Sequence, residues 1–168
     1  MAMQYDVKAA HLNNSGFAVL GPNRLKALST VGTASAGTLD IFDTATAPVS
    51  ATYERAGTLV TVTKSSHGLA TGDVVGLSFA TASGNSATNG NYTITVLTSS
   101  TFTITDINTG TIVAGTACLY ASRWIVSYDI GAGDVFSNNA LLPGEGVRVV
   151  NGIYLSMSNI TSSVIYYG

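Results

Sequence analysis

An all-β fold is predicted for this 168-residue chain: a small β-sandwich-like domain interrupted by an inserted small β-barrel domain. Three observations predict it. Apolar residues alternate with Thr and Ser at period two, the mark of half-buried strands. Gly and Asn fall at regular intervals between those runs, where positive φ costs little. The rhythm also changes near residues 48 and 123, so the segments 1–48 and 123–168 read as one discontinuous anchoring domain. The inserted, projecting barrel is expected over 49–122.

The elements follow in chain order. Asn23–Thr30 places Leu25 and Leu28 three apart, the nearest approach to a helical stripe, and alternation explains it equally well. Thr38–Asp43 carries Leu39 and Ile41 on one face. In Thr58–Thr63, Val60 and Val62 oppose Leu59, Thr61 and Thr63. Turns are expected at Ser66-His67-Gly68, Thr71-Gly72-Asp73 and Asn89-Gly90-Asn91. Tyr92, Ile94 and Val96 then share a face, Thr98-Ser99-Ser100 closes a hairpin, and Phe102 and Ile104 oppose Thr101, Thr103 and Thr105. The predicted barrel core is Val60, Val62, Val74, Tyr92, Ile94, Phe102 and Ile104. Arg123–Tyr128 aligns Trp124, Val126 and Tyr128, and this run suits a hairpin partner for Thr38–Asp43. The insertion then sits where their turn belongs, a cheap place for one because loop-closure entropy grows slowly with length. Ile153, Leu155 and Met157 line one face, with Tyr154 opposite. In the last strand Val164 and Tyr166 face one way, Ile165 and Tyr167 the other. A strand apolar on both faces is either central in a sandwich or buried against a neighbour.

Composition narrows the function classes. Hydrophobic residues make up 46% of the chain and charged ones 10%, far below the roughly 25% usual in soluble proteins. With a net charge of −2 and scattered cations, no electrostatic footprint for nucleic acid forms; Arg24 and Lys26 read as a solvated strand face. Cys118 is the single cysteine, so it forms no intrachain disulfide and no zinc cluster, and it reads as a small core hydrophobe. No apolar run approaches the ~18 residues of a membrane span, and Met1–Lys8 lacks a secretory signal pattern, so a soluble protein without membrane contact is expected.

The chemistry-bearing residues are sparse. His11 and His67 fall in different putative domains, and His67 lies in a turn where its ring caps or stacks. Asp40 and Asp43, the nearest carboxylate pair, are separated by an odd spacing that sends them to opposite strand faces, unlike a glycosidase pair. Asp106-Ile107-Asn108-Thr109-Gly110 imitates the start of a calcium loop. Positions six and twelve of that loop would be Thr111 and Ala117 rather than Gly and Glu, so it reads as a hairpin turn. Gly144-Glu145-Gly146 lacks the Lys-Ser/Thr of a phosphate loop and reads as a tight turn after Pro143. No catalytic, cofactor-binding or metal residue is therefore assigned, and no cofactor is expected. Trp124, Tyr128, Tyr154, Tyr166 and Tyr167 offer either a sugar-stacking platform, an assembly hot spot or core; Trp124 reads as core.

Two stretches carry resemblances. Leu141-Leu142-Pro143-Gly144-Glu145-Gly146-Val147-Arg148, Gly152-Ile153-Tyr154-Leu155, Asn159-Ile160-Thr161-Ser162 and Tyr166-Tyr167-Gly168 resemble a family of short tailed-phage virion structural proteins. The match covers the last 30 or so residues, with Arg24–Asp43 a looser part of it. In the insertion, Val60-Thr61-Val62-Thr63, His67-Gly68-Leu69, Gly72-Asp73-Val74-Val75, Asn89-Gly90-Asn91-Tyr92-Thr93-Ile94 and Thr101-Phe102-Thr103-Ile104 are similar to the β-barrel of the first catalytic cysteine half-domain of ubiquitin-activating enzymes. Cys118 matches no catalytic cysteine, and no activity carries over.

The resemblance implies a non-enzymatic phage structural protein located in the virion and assembled in the bacterial host cytoplasm. The first expectation is a multi-copy capsid decoration protein. It would form a homo-oligomer and contact other virion proteins, such as the major capsid protein or tail proteins. The alternative is a tail or fibre-associated component, with the inserted barrel as a receptor- or carbohydrate-binding module. The expected assembly interface is Tyr154, Val164, Ile165, Tyr166 and Tyr167. That strand is taken to present an edge, which a neighbouring copy would cover.

Overall fold

The computed structural model describes residues 7–168. Most of the Met1–Lys8 stretch, on which the signal reading rests, lies outside the described residues. Every regular element among them is a strand: β1 (Lys8–Leu12), β2 (Gly16–Leu20), β3 (Asn23–Gly32), β4 (Gly37–Asp43), β5 (Val49–Thr63), β6 (Val74–Phe79), β7 (Gly90–Thr93), β8 (Thr95–Thr98), β9 (Thr101–Ala121), β10 (Arg123–Ile130), β11 (Ser137–Leu141), β12 (Val147–Val149), β13 (Gly152–Ser158) and β14 (Ile160–Tyr167). The fold is all-β. The chain divides into two compact units, one of Met1–Ala47 with Ile125–Gly168 and the other of Pro48–Trp124.

The outer unit holds two antiparallel sheets. One has five strands in the order β1-β14-β3-β11, with β12 also pairing β3; the other runs β10-β4-β13-β2. β4 and β10 lie hydrogen-bonded side by side, although the whole of the other unit separates them in sequence. Leu25, Leu28, Val149 and Ile165 from the first sheet meet Leu39, Ile41, Ile153 and Leu155 from the second in one buried cluster. Alternation accounts for this set, with one offset. Leu25 and Leu28 both point inward because the β14–β3 register slips between Tyr166 and Tyr167, which pair with Ala27 and Leu25. A bulge of that kind restores the inward phase without a helical turn. At the start of β13, the Asp43 carboxylate accepts the backbone N–H groups of Val150 (3.0 Å), Asn151 (2.8 Å) and Gly152 (3.3 Å). The turn entering the central strand is thereby tied to the end of β4.

The last strand does not present an edge. β14 is paired on one side by β1, from Lys8↔Tyr167 to Leu12↔Ser163, and on the other by β3. The backbone hydrogen-bonding capacity expected to be free is used within the unit.

The inserted unit is built on two long strands, β5 and β9, whose ladder shifts register between Tyr53 and Arg55 and between Gly57 and Leu59. The first half of β5 pairs with the second half of β9 (Val49↔Tyr120 to Tyr53↔Thr116), and its second half with the start of β9 (Leu59↔Thr105 to Thr63↔Thr101). β6 pairs β7 and the end of β9, while β8 pairs the start of β9. β7 and β8 are joined through Ile94 alone, so this short run pairs with β6 at its start and with β9 at its end. Tyr53, Val60, Val62, Val75, Leu77, Phe79, Ile94, Phe102, Ile104, Cys118 and Tyr120 form one buried cluster, with Tyr92 partly buried against them.

Two expectations need correction here. Val74 is 58% exposed and Val75 takes the core place, because the inward phase of β6 is set by Leu77 and Phe79 rather than by the turn before it. Asp106–Gly110 is no hairpin. The chain runs on through β9, and residues 106–109 form a bulge opposite a single residue of β5, between the pairs Leu59↔Thr105 and Gly57↔Gly110.

Each unit holds its own buried cluster. Deleting Pro48–Trp124 and joining Ala47 to Ile125 is therefore expected to leave a folded outer unit, with a β far-UV spectrum and a cooperative thermal transition. A random-coil spectrum from that protein would show that the outer sheets need the insertion to fold.

Candidate functional site

The five residues expected to form an interface are separated by the structure. Ile165 is fully buried, and Tyr167 packs partly against the same core. Tyr154 belongs to the other sheet, half-buried, with Phe17 edge-on at a centroid distance of 4.9 Å. Val164 and Tyr166 remain on the outer face of the five-stranded sheet. That face can be read row by row from the registers. Ala9, Tyr166, Ala27 and Leu141 form one cross-strand row, and His11, Val164, Ser29 and Asn139 the next. Neither row contains a lysine, arginine or carboxylate. Ser29 and Ser137 share a hydroxyl–hydroxyl hydrogen bond of 2.6 Å on the same face.

Sequence reasoning missed the residues that flank this face. β11 ends the sheet, so one side of Ser137–Leu141 has no ladder among the described residues. Phe136, just before the strand, is 79% exposed, and Leu141, its last residue, 83%. The available signal was two large apolar residues bracketing the polar run Ser137-Asn138-Asn139, which a half-buried central strand would not show.

The residues screened for chemistry prove to be structural. His67 Nε2 lies 2.9 Å from the Thr98 carbonyl oxygen, its Nδ1 accepts the Leu69 N–H at 3.1 Å, and its ring meets Phe102 edge-on. Cys118 is buried in the core, and burial pushes its thiol up to about 12, so almost no thiolate exists at neutral pH. The Asp40 carboxylate accepts the Ser127 hydroxyl. Trp124 lies half-buried outside both core clusters; its N–H and carbonyl oxygen each bond the Asn91 side-chain amide, at 2.8 and 2.9 Å.

The most constrained chemistry surrounds Arg55, which sequence reading left among the scattered cations. Its guanidinium is fully buried and donates to four backbone carbonyls: Gly57 (2.9 Å), Asn85 (2.9 Å), Ser86 (2.8 Å) and Asn108. The Asp106 carboxylate completes the shell at 3.2 Å. Asp106 also accepts the backbone N–H groups of Thr88 (2.7 Å) and Asn108 (3.2 Å). The calcium-like loop thus has a cation, and it is a guanidinium from the neighbouring strand. Burial by itself raises the Asp106 carboxyl. The amide donors, the Thr88 side chain and Arg55 outweigh that effect and hold it below the usual carboxylate range. Tyr92 joins the same network by donating its hydroxyl to the Thr88 carbonyl at 2.6 Å, and burial beside Asp106 pushes its phenol up to about 12.

No family model matches the chain, and no curated protein or solved structure matches it.

Asp106→Asn would leave the Arg55 charge buried without its counter-charge, a change that costs about 3–5 kcal/mol. Urea denaturation at neutral pH is expected to show that loss. Because the folded Asp106 is more acidic than the unfolded one, its contribution is complete above the unfolded value of about 3.9 and fades as pH falls through the folded value. The gap between the native protein and the variant should therefore narrow below about pH 4. A variant within about 0.5 kcal/mol of the native protein at pH 7 would show the pair to be energetically idle.

Proposed function

We propose that the chain is a non-enzymatic structural protein of a tailed-phage virion, present in many copies at the capsid surface and held there through its outer unit. The observation that carries the reading is the uncharged edge strand β11 with Phe136 and Leu141 exposed at its two ends. Free sheet edges in monomers are commonly blunted by lysine, proline or a bulge. Ser137-Asn138-Asn139-Ala140-Leu141 carries no charge and no proline. Tyr166 extends the apolar surface across Ala27 to Leu141, which suits a contact with a second copy or with a capsid protein. The commitment of His67, Cys118, Asp40, Asp43 and Asp106 to structural contacts supports the non-enzymatic part of the reading.

A second reading has its own observation. Ile107 is 87% exposed, yet it stands between Asp106 and Asn108, both tied into the Arg55 network. A rigidly held apolar tip costs little entropy on binding, which favours a tail- or fibre-associated component that contacts a receptor through the inserted unit. Copy number separates the two. Hundreds of copies per purified particle fit the capsid surface, and a few copies fit a tail tip.

Replacing Phe136, Leu141 and Tyr166 together by Ser is expected to abolish incorporation into particles and to lower the oligomer mass in sedimentation. The thermal midpoint should shift by only a few degrees, because all three side chains are exposed. Ile165→Ala, by contrast, should cost about 2–5 kcal/mol of stability as a core truncation. Incorporation of the triple variant at the native level would overturn the reading.

A further inference from the structure

The open edge of the outer unit is complementary to itself. β11 ends the five-stranded sheet, and its register with β3 sets which of its backbone groups are free. Along an antiparallel strand, successive residues turn their N–H and C=O groups alternately to one neighbour and to the other. Leu142 donates its N–H to the Lys26 carbonyl oxygen at 3.0 Å, which places Asn138 and Ala140 in the same phase, toward β3. Ser137, Asn139 and Leu141 therefore turn their N–H and C=O groups to the open side. Their side chains are exposed, whereas those of Asn138 and Ala140 are half-buried.

The other edges of the outer unit carry devices that β11 lacks. β1 carries Lys8, β10 carries Arg123 and Asp129, β12 carries Arg148, and β2 meets β13 through a bulge. Charges and bulges discourage a further strand from pairing. β11 has no charge, no proline and no register shift. Its exposed apolar residues stand apart, Phe136 just before the strand and Leu141 at its end. A two-fold axis brings the start of one strand beside the end of the other, so these two residues meet between copies. An unrelated strand need not supply that match, and a second copy supplies it by symmetry.

We propose that β11 pairs antiparallel with β11 of a second copy, about a two-fold axis through Asn139, joining two five-stranded sheets into one. The pairing rests on the assembly face of the reading above and makes its partner a second copy of this chain. In this register Asn139 faces Asn139, and Ser137 of each copy faces Leu141 of the other. Those are the residues whose backbone groups are free, so each free N–H meets a free C=O. On the outer face the row Ala9, Tyr166, Ala27 and Leu141 continues into Ser137 and Val31 of the second copy. Phe136 comes opposite Leu142 of the second copy, whose side chain packs against the outer core. No charged residue lies between positions 136 and 142, so the strands meet without like-charge repulsion.

Sedimentation and amide hydrogen exchange of the full chain test the pairing. The native protein is expected to reach the mass of two chains as its concentration rises toward the millimolar range. The Asn139 and Leu141 amides should be protected in that dimer and exchange freely on dilution, because β3 supplies them no bond. Asn139→Pro removes an N–H that the single chain does not use, and proline is tolerated at such an edge position. It should abolish the dimer and leave the β far-UV spectrum unchanged. Cysteine cross-linking reads the register. Asn139→Cys sets its Cα atoms about 5.5 Å apart across the axis, within disulfide reach, while Ser137→Cys leaves them about 14 Å apart. Mild oxidation should link the first about tenfold faster than the second, or more. Cys118 is buried and does not compete. A native chain that stays monomeric, an Asn139→Pro protein that still dimerises, or equal cross-linking at the two positions would overturn the pairing. A chain that is monomeric in solution yet enters particles would overturn the pairing and leave the capsid reading standing. A dimer that meets these tests but is absent from purified particles would uphold the pairing and overturn the capsid reading.

Discussion

The inserted unit depends on one buried cation. A guanidinium moved from water into a protein interior loses several kcal/mol of hydration, and only a nearly complete set of acceptors offsets that loss. Arg55 has such a set, and its acceptors come from three separate places in the chain: Gly57 on its own strand, Asn85 and Ser86 in the β6–β7 connection, and Asp106 and Asn108 in the β9 bulge. Ala82 and Ala87 pack the connection against the core on either side of Asn85 and Ser86, whose carbonyls are left to face the guanidinium. The connection also approaches β9 very closely, since a Cβ on Gly110 would lie 2.6 Å from the Asn85 carbonyl oxygen. Glycine at that point lets the carbonyls reach the guanidinium. The β9 bulge and the long β6–β7 connection thus meet around one charge.

The outer unit solves a comparable problem with a carboxylate. Its central strand β13 enters through a turn with three successive N–H groups that no ladder strand receives, and Asp43 takes all three. Asp43 is itself the last residue of β4, the strand β13 pairs with, so the cap and the ladder reinforce each other. In both units an ionised side chain organises irregular backbone, while the apolar alternation organises the regular part.

That division marks how much was legible in the sequence. The strand phases of Val60 and Val62, Phe102 and Ile104, Leu39 and Ile41, and Ile153 and Leu155 could be read because period two is a local property. So could the Thr98–Thr101 hairpin, the Pro143–Gly146 turn, the buried Cys118 and the structural His67. Asp106 resisted reading because its partner is 51 residues away on another strand, and the local pattern of alternating Asp and Asn carries no trace of a guanidinium. Val74 was misplaced because two adjacent valines have no phase of their own. The expected interface residues were divided between core and surface for a third reason. Val164–Tyr167 is apolar on both faces, but alternation says nothing about edges, and only the long-range pairing with β1 reveals that the strand is interior.

The distribution of charge ties these features together. A chain with so few charges has few to spend on keeping sheet surfaces apart, and most of its cations sit where they organise backbone or crowd a groove. Arg55 is buried, Arg24, Lys26 and Arg148 line one concavity, and Lys8 sits at the end of the β1 edge. The opposite edge, β11, and the rows beside it are left with hydroxyls, amides, Tyr166 and Leu141. Hydroxyl and amide groups keep such a surface wetted but do not repel a second sheet, as lysines on an edge would. The same economy of charge therefore leaves the β11 edge and the rows beside it without the repulsion that lysines would supply.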